Sequence, residues 1–160
     1  MAINRITSGA LRIVTAIATH RIVHFIALLG LRAAYLQGGG QKLLDFNGAV
    51  SEAQHFGLAP AVPIAIATIV TELGASVLIL SGYYRWVGAL WLAGFTLVAT
   101  FVANRFWELP MPDRFMVENA FFEHLGLIGG FLLVAWHDLK RGKQPHPRFN
   151  FCGSQGGETD

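Results

Sequence analysis

Cysteine and charged residues are scarce in this sequence. Among 160 residues there is one cysteine, Cys152, and only 14% are Asp, Glu, Lys or Arg, compared with roughly 25% in soluble domains. A single cysteine forms neither an internal disulfide nor a Cys-x-x-Cys pair, which excludes the membrane thiol oxidoreductases. The net charge of +2, with no basic cluster outside the chain ends, argues against nucleic acid as a partner. Because 53% of the residues are hydrophobic, the low charge indicates an integral membrane protein.

Long apolar segments are abundant. Four of them are close to the ~20 residues that a helix needs to cross a bilayer, and they cover residues 22–40, 62–80, 86–103 and 117–136. The alternating segments of ~10 residues that are typical of membrane β-barrels do not occur. The sequence therefore predicts an all-α protein, a bundle of four transmembrane helices in contact with the lipid bilayer.

The segments outside the spans predict three parts in the chain. Residues 3–19 are apolar but carry Arg5 and Arg12 and are too few to cross a membrane, so we expect a helix that lies on the membrane surface. An extension of the first span is the alternative. The last 22 residues are rich in Gly, Pro and charge, which predicts a disordered cytoplasmic tail. The three predicted parts are residues 1–21, 22–138 and 139–160.

Two connections are predicted in more detail. The run Gly38-Gly39-Gly40 predicts a loosened end of the first span, and residues 41–60 read as a polar loop with a short surface helix near 50–56. Residues 81–84 predict a tight turn between the second and third spans.

Lys and Arg are distributed unevenly between the two sides of the predicted bundle. The segments on one side contain eight of these residues: Arg5, Arg12, Arg21, Arg85, Lys140, Arg141, Lys143 and Arg148. The segments on the other side contain three: Lys42, Arg105 and Arg114. Because positive residues accumulate on the cytoplasmic side, both termini are predicted to be cytoplasmic.

Two charges lie near the middle of predicted spans. Arg32 and Glu72 are each about ten residues into a span, which is roughly 15 Å deep at ~1.5 Å per residue. A charge at this depth normally has a partner, and consecutive helices are usually neighbours, so we expect an Arg32–Glu72 pair. Such a pair either joins two helices or tunes a ligand or a proton, and the sequence leaves both interpretations open.

Glu123 adds a second acid, roughly 9 Å below the opposite surface. With one Arg and two acids in the bundle, either another cation such as Lys42 or Arg105 approaches, or one carboxylate holds a proton. We therefore predict a polar intramembrane site formed by Arg32, Lys42, Glu72 and Glu123. A carboxylate beside an apolar cavity suits quinone or proton chemistry, and it also suits a substrate pathway.

The remaining polar residues in the spans have less specific interpretations. His24 and His137 lie near the cytoplasmic surface and are candidate axial ligands of a b-type haem, but interfacial histidines are common and haem is the less favoured cofactor. His55 and His124 could join Glu123 around a metal ion, but we expect no metal site. On the third span, Thr96, Thr100 and Asn104 repeat every four residues, a spacing that is typical of helix packing in lipid.

The order of these features resembles the DoxX family of small four-helix membrane proteins. The matching stretches are 31–36 (LRAAYL), 39–43 (GGQKL), 56–60 (FGLAP), 71–74 (TELG), 81–85 (SGYYR), 93–97 (AGFTL) and 125–133 (LGLIGGFLL). The resemblance implies a protein of the bacterial inner membrane, related to a subunit of a thiosulfate:quinone oxidoreductase. Arg32, Lys42 and Glu72 match polar positions of the family. The sequence departs from it at 122–125 (FEHL), where many relatives carry a Lys-Asn pair, and in its added N-terminal segment.

These observations lead to one preferred function and two alternatives. The preferred one is a membrane subunit of a quinone-linked oxidoreductase or redox complex, which binds quinone or relays protons and shares its chemistry with partner subunits. It would be at most a non-autonomous part of an enzyme. The alternatives are a non-catalytic scaffold or assembly subunit and a small-molecule or proton transporter, for which four helices are few.

Overall fold

The structure, a computed structural model, describes residues 2–142, and this part of the chain is helical and contains no β-strand. Its helices are α1 (Ala2–Ala18), α2 (Arg21–Leu44), α3 (Phe46–His55), α4 (Ala61–Ser81), α5 (Arg85–Ala103) and α6 (Asp113–Gly142). Four segments are long and apolar enough to span a membrane: α2, α4, α5 with the 3₁₀ turn that follows it, and α6. The predicted all-α bundle with four transmembrane helices is confirmed, and the orientation of the termini stays a prediction.

The first helix is separate from the first span. His20 lies between α1 and α2 in an extended conformation (φ −68°, ψ 137°), and its ring Nδ1 accepts a hydrogen bond from the Ile22 N–H at 3.2 Å. This contact caps the start of α2 and breaks the helical run, so α1 is not a continuous extension of α2. The position of α1 on the membrane surface stays a prediction. At the other terminus α6 continues to Gly142, and the rest of the predicted tail lies outside the described residues.

The predicted loosening of the first span at its glycine run is wrong, because α2 stays helical through these residues to Leu44. A Cβ on Gly39 would lie 2.9 Å from Cγ and Cδ2 of Leu73 on α4. The missing side chain therefore lets α2 and α4 approach closely, which is a common use of small residues in membrane bundles.

The polar connection after α2 contains a longer helix than predicted. Asp45 caps α3, and its Oδ1 accepts a hydrogen bond from the Gly48 N–H at 2.9 Å. Ala49 and Ala53 are buried, and α3 packs on α4 and α2. This helix therefore covers one end of the bundle, which we call the loop end and which comprises residues 44–61 and 104–112.

The opposite end, which we call the turn end, comprises residues 20–24, 81–86 and 136–142. Here Gly82 (φ 77°) and Tyr84 (φ 49°) form the predicted tight turn between α4 and α5. The apolar core lies in this half, and its large members are Leu28, Tyr35, Ile79, Leu92 and Phe131. Each span packs on the next one along the chain, and α6 meets α2 through a few contacts, including the Tyr35 and Phe131 rings at 5.5 Å.

Candidate functional site

A cavity of ≈ 490 Å³ lies in the loop-end half of the bundle, and residues from α2 through α6 line it. Its walls are mainly apolar, with side chains such as Phe56, Phe95 and Leu127. A small number of polar groups interrupt these walls, namely Tyr35, Lys42, Glu52, Thr68, Glu72, Thr96 and His124. The size and the composition are those of a site for a small, largely apolar ligand.

Lys42 connects two carboxylates on one wall of this cavity. Its Nζ lies 3.4 Å from Oε1 of Glu72 on α4 and 3.5 Å from Oε2 of Glu52 on α3. The Glu72 side chain is 9% exposed, whereas that of Glu52 is 49% exposed. The deep acid is therefore neutralised by Lys42, and the shallow acid extends the same polar group towards the surface.

The second oxygen of Glu72 has no protein partner within residues 2–142. Oε2 is buried and accepts no hydrogen bond from the described side chains or backbone. It lies against α2 where Gly38 has no side chain, 3.5 Å from the position that a Cβ would occupy. This oxygen remains available to accept a hydrogen bond from a ligand or to hold a proton.

The predicted Arg32–Glu72 pair does not form. The α2 residues beside Glu72 are Gly38 and Gly39, and Arg32 lies six residues earlier on α2, roughly 9 Å nearer the turn end. The depth estimate was wrong because α2 continues four residues beyond its predicted end, which brings Lys42 to the level of Glu72. Arg32 is instead fully buried among the residues of the turn-end core.

The structure places Glu123 outside the predicted polar site. Glu123 is exposed on α6 and forms no ion pair with any residue that the structure describes. Successive helix positions point about 100° apart, so the neighbouring residue His124 faces the cavity in its place. Of the four residues predicted to form the polar site, Lys42 and Glu72 therefore meet, whereas Arg32 and Glu123 lie elsewhere.

The repeated polar residues of α5 hold His124 in position. The Thr100 Oγ1 and the Asn104 Nδ2 each lie 3.0 Å from Nδ1 of His124. The Asn104 amide donates to Nδ1 in the neutral tautomer that carries its proton on Nε2. The Thr100 hydroxyl donates to the Thr96 carbonyl at 2.6 Å, so its oxygen accepts from Nδ1 in the other tautomer. In the first tautomer His124 offers an N–H donor through Nε2.

A second hydrogen-bonded pair joins α2 to α5 in the wall of the cavity. Thr96 donates its hydroxyl proton to the Leu92 carbonyl at 2.6 Å, so its oxygen accepts from the Tyr35 hydroxyl at 2.5 Å. Both side chains are buried. The predicted packing stripe of α5 therefore also orients polar side chains, a role that its spacing alone did not indicate.

The other predicted candidates lie apart from this cavity. His24 on α2 and His137 on α6 line a smaller groove at the turn end, and their ligation of haem stays a prediction. The alternative that joins His55 and His124 to Glu123 gains no support, because residues 2–142 contain no cluster of potential metal ligands. His55 lies at the end of α3 and its ring packs on that of Phe56 at 5.3 Å.

Sequence reasoning missed His124 as a member of the main site. The signal was present in the sequence, because Thr100 and Asn104 lie on one face of α5 and a polar face in lipid needs polar partners. The facing helix supplies one histidine and two acids in that half, and the sequence does not say which of them faces inward.

Comparisons with known proteins identify the family of the chain. The DoxX family model matches residues 23–105, more than half of the chain, and this range includes Lys42 and Glu72. The inner membrane protein YphA of Escherichia coli (strain K12) is 23% identical over 118 residues, which cover 74% of this chain and 84% of the relative. No solved structure matches the chain. The chain is a multi-pass membrane protein, and it belongs to the DoxX family.

Proposed function

We propose that this chain is the quinone-binding membrane subunit of a redox complex in the bacterial inner membrane. The observation that carries the proposal is the apolar loop-end cavity, which Lys42, Glu72 and His124 line together and in which one oxygen of the buried Glu72 carboxylate has no partner among residues 2–142. The location follows from the similarity to an inner membrane protein of Escherichia coli.

The chemistry of the donors fits a quinone headgroup. Such a headgroup is planar, uncharged and apolar, apart from two carbonyl oxygens that accept hydrogen bonds. Lys42 Nζ is a donor among the residues that line the cavity, and His124 is a second one in the tautomer that Asn104 favours, with the proton on Nε2. Phe95 and Leu127 provide apolar contacts. Because Lys42 balances Glu72, the cavity favours an uncharged ligand.

The residues have distinct roles in this proposal. A bound quinone supplies two-electron, two-proton redox chemistry, and a partner subunit supplies or removes the electrons. Lys42 and His124 orient the carbonyl oxygens through hydrogen bonds. Oε2 of Glu72 holds a proton next to the ligand, and Glu52, which also contacts Lys42, connects the site with the loop-end surface.

Binding of decylubiquinone, a short-chain quinone, to the protein in lipid nanodiscs tests the proposal. We expect saturable binding to the unmodified protein, and a loss of affinity of about fivefold in His124→Leu, since one hydrogen bond contributes roughly 1 kcal/mol. Glu118→Gln is the matched control, because Glu118 lies on the same helix in an exposed pair with Arg114 at 3.6 Å. Its affinity should remain unchanged.

Absence of saturable binding to the folded, unmodified protein would contradict the proposal. Equal quinone affinities of the unmodified protein and of His124→Leu would show that quinone does not bind in the loop-end cavity. If quinone does not bind and Glu72→Gln instead disrupts a complex with partner proteins, the scaffold function replaces this one.

A further inference from the structure

A second groove opens at the turn end, far from the loop-end cavity. It has a volume of ≈ 310 Å³ and is lined by His24 of α2, Arg85 of α5 and five residues of α6, namely Leu133, Val134, Trp136, His137 and Asp138. Its lining combines apolar side chains with a basic cluster that consists of His24, Arg85 and His137. The family match and the proposed function assign no role to this groove.

Arg85 is held in place with most of its donors unused. Its Nε donates to the carbonyl of Ile79 in the last turn of α4 at 3.1 Å. Nη1 lies 3.9 Å from Oδ1 of Asp138, which is too long for a hydrogen bond. Oδ2 of Asp138 accepts from the Trp86 N–H at 3.1 Å and so satisfies the first turn of α5. The N–H groups of Nη1 and Nη2 are thus available to an anion, in the paired geometry that suits phosphate.

Positive charge at the turn end exceeds negative charge. Asp138 is the only acid at this end among residues 2–142. Arg32 is fully buried nearby, and its three guanidinium nitrogens have no hydrogen-bond partner among the described residues. Neither Arg32 nor Arg85 has a carboxylate oxygen within hydrogen-bond distance among the described residues. Such an excess of positive charge in a membrane favours an anion from outside the chain.

We propose that the turn-end groove binds the phosphate of an anionic phospholipid. Arg85 contacts the phosphate through Nη1 and Nη2, with His24 and His137 as further donors. An acyl chain of the same lipid lies along Leu133 and Val134. The lipid supplies the negative charge that the protein lacks at this end, and this role is independent of quinone binding at the loop end.

The position of the groove favours a lipid over a soluble anion. Exposed aromatic side chains surround the turn end, namely Tyr83, Tyr84 and Trp136, and such residues mark the level of the lipid headgroups. Lys140 lies over the Trp136 ring at 4.1 Å and adds another cation at this level. Basic pockets between membrane helices commonly bind anionic headgroups.

Native mass spectrometry of the full chain tests the proposal. The protein is released from nanodiscs that contain phosphatidylcholine and phosphatidylglycerol, and the lipids that remain bound are counted. We expect the unmodified protein to retain phosphatidylglycerol preferentially and Arg85→Gln to retain about tenfold less. Arg105→Gln is the matched control, because Arg105 also bonds a backbone carbonyl (Val102, 3.3 Å) and pairs with an acid (Glu108, 3.4 Å), but at the loop end. Its retention should equal that of the unmodified protein.

A second variant keeps the proposal testable if the first one misfolds. If Arg85→Gln does not fold, the double variant His24→Leu/His137→Leu removes two donors and leaves the contact of Arg85 with Ile79 intact, and it should retain several-fold less phosphatidylglycerol. Equal retention of phosphatidylcholine and phosphatidylglycerol by the unmodified protein would overturn the proposal, as would unchanged retention in the folded variants. Displacement of the lipid by millimolar inorganic phosphate would assign the groove to a soluble anion and overturn the lipid assignment.

Discussion

The two ends of the bundle differ in how their buried charges are paired. At the loop end, Lys42 lies within 3.5 Å of both Glu72 and Glu52, so the buried acid has a cation from its own chain. At the turn end, Arg32 is fully buried without a hydrogen-bond partner among residues 2–142, and the ion pair of Arg85 with Asp138 is long, at 3.9 Å. The same four helices thus form one polar site whose buried acid has a counterion and one with excess positive charge.

This difference indicates two kinds of ligand. A balanced pair beside a cavity with apolar walls favours an uncharged molecule that hydrogen-bonds to its polar groups, which agrees with the proposed quinone. An excess of positive charge at the turn end favours an anion from outside the chain, and the membrane provides phosphate at the level of Arg85 and the exposed turn-end aromatic residues. Substitutions that act on one end only can test this distinction.

The largest effect is expected from Lys42→Met. This change leaves the buried Glu72 without its cation, which should lower the free energy of unfolding by about 3 kcal/mol. Unfolding in mixed micelles of SDS and a neutral detergent measures this loss. The control is Arg114→Met, which breaks the exposed pair with Glu118 and should cost less than about 1 kcal/mol. Equal losses would show that the loop-end pair contributes no more than a surface pair.

Intermediate losses of stability are expected from Gly→Ala substitutions at helix contacts, and their size should differ between the two halves of the bundle. A Cβ on Gly88 would lie 2.8 Å from the backbone carbonyl oxygen of Ala75, which cannot move aside, so Gly88→Ala should cost about 2 kcal/mol. A Cβ on Gly39 meets the side chain of Leu73, which can adopt another rotamer, and Gly39→Ala should cost about half as much. The control Gly94→Ala has no neighbour within 4 Å.

The same unfolding measurement on these three variants checks the expectation. A loss in Gly39→Ala as large as that in Gly88→Ala would show that the contact in the loop-end half is as rigid as the one near the turn end. A similar loss in Gly94→Ala would show that helical glycines, and not helix contacts, determine the effect.

The smallest effect is expected from Arg32→Met in a neutral detergent without anionic lipid. The substitution removes a buried charge that has no described partner, so the free energy of unfolding should stay unchanged or rise by about 1 kcal/mol. Addition of phosphatidylglycerol should then stabilise the unmodified protein more than the variant. A loss of more than about 2 kcal/mol in neutral detergent would show that the Arg32 charge is already compensated.

Much of the fold could be predicted, because the backbone N–H and C=O groups of a membrane span must be paired within the span. Each span therefore forms a helix and is visible in the sequence as an apolar segment of membrane length. The glycine run of α2 shows the limit of local reasoning. In isolation Gly38, Gly39 and Gly40 favour a loosened end, but the close approach to Leu73 keeps them helical. Local propensity was overruled by a contact between helices.

The sequence by itself determined the number of spans, the need for charge partners inside the membrane and the importance of Glu72 and Lys42. The tertiary structure decided which groups meet. The level of Glu72 against α2 selects Lys42 over Arg32, and the rotation of α6 selects His124 over Glu123. Register and rotation depend on how two helix surfaces fit together, and a shift of one turn, roughly 5 Å, changes every partner without changing the pattern of either helix.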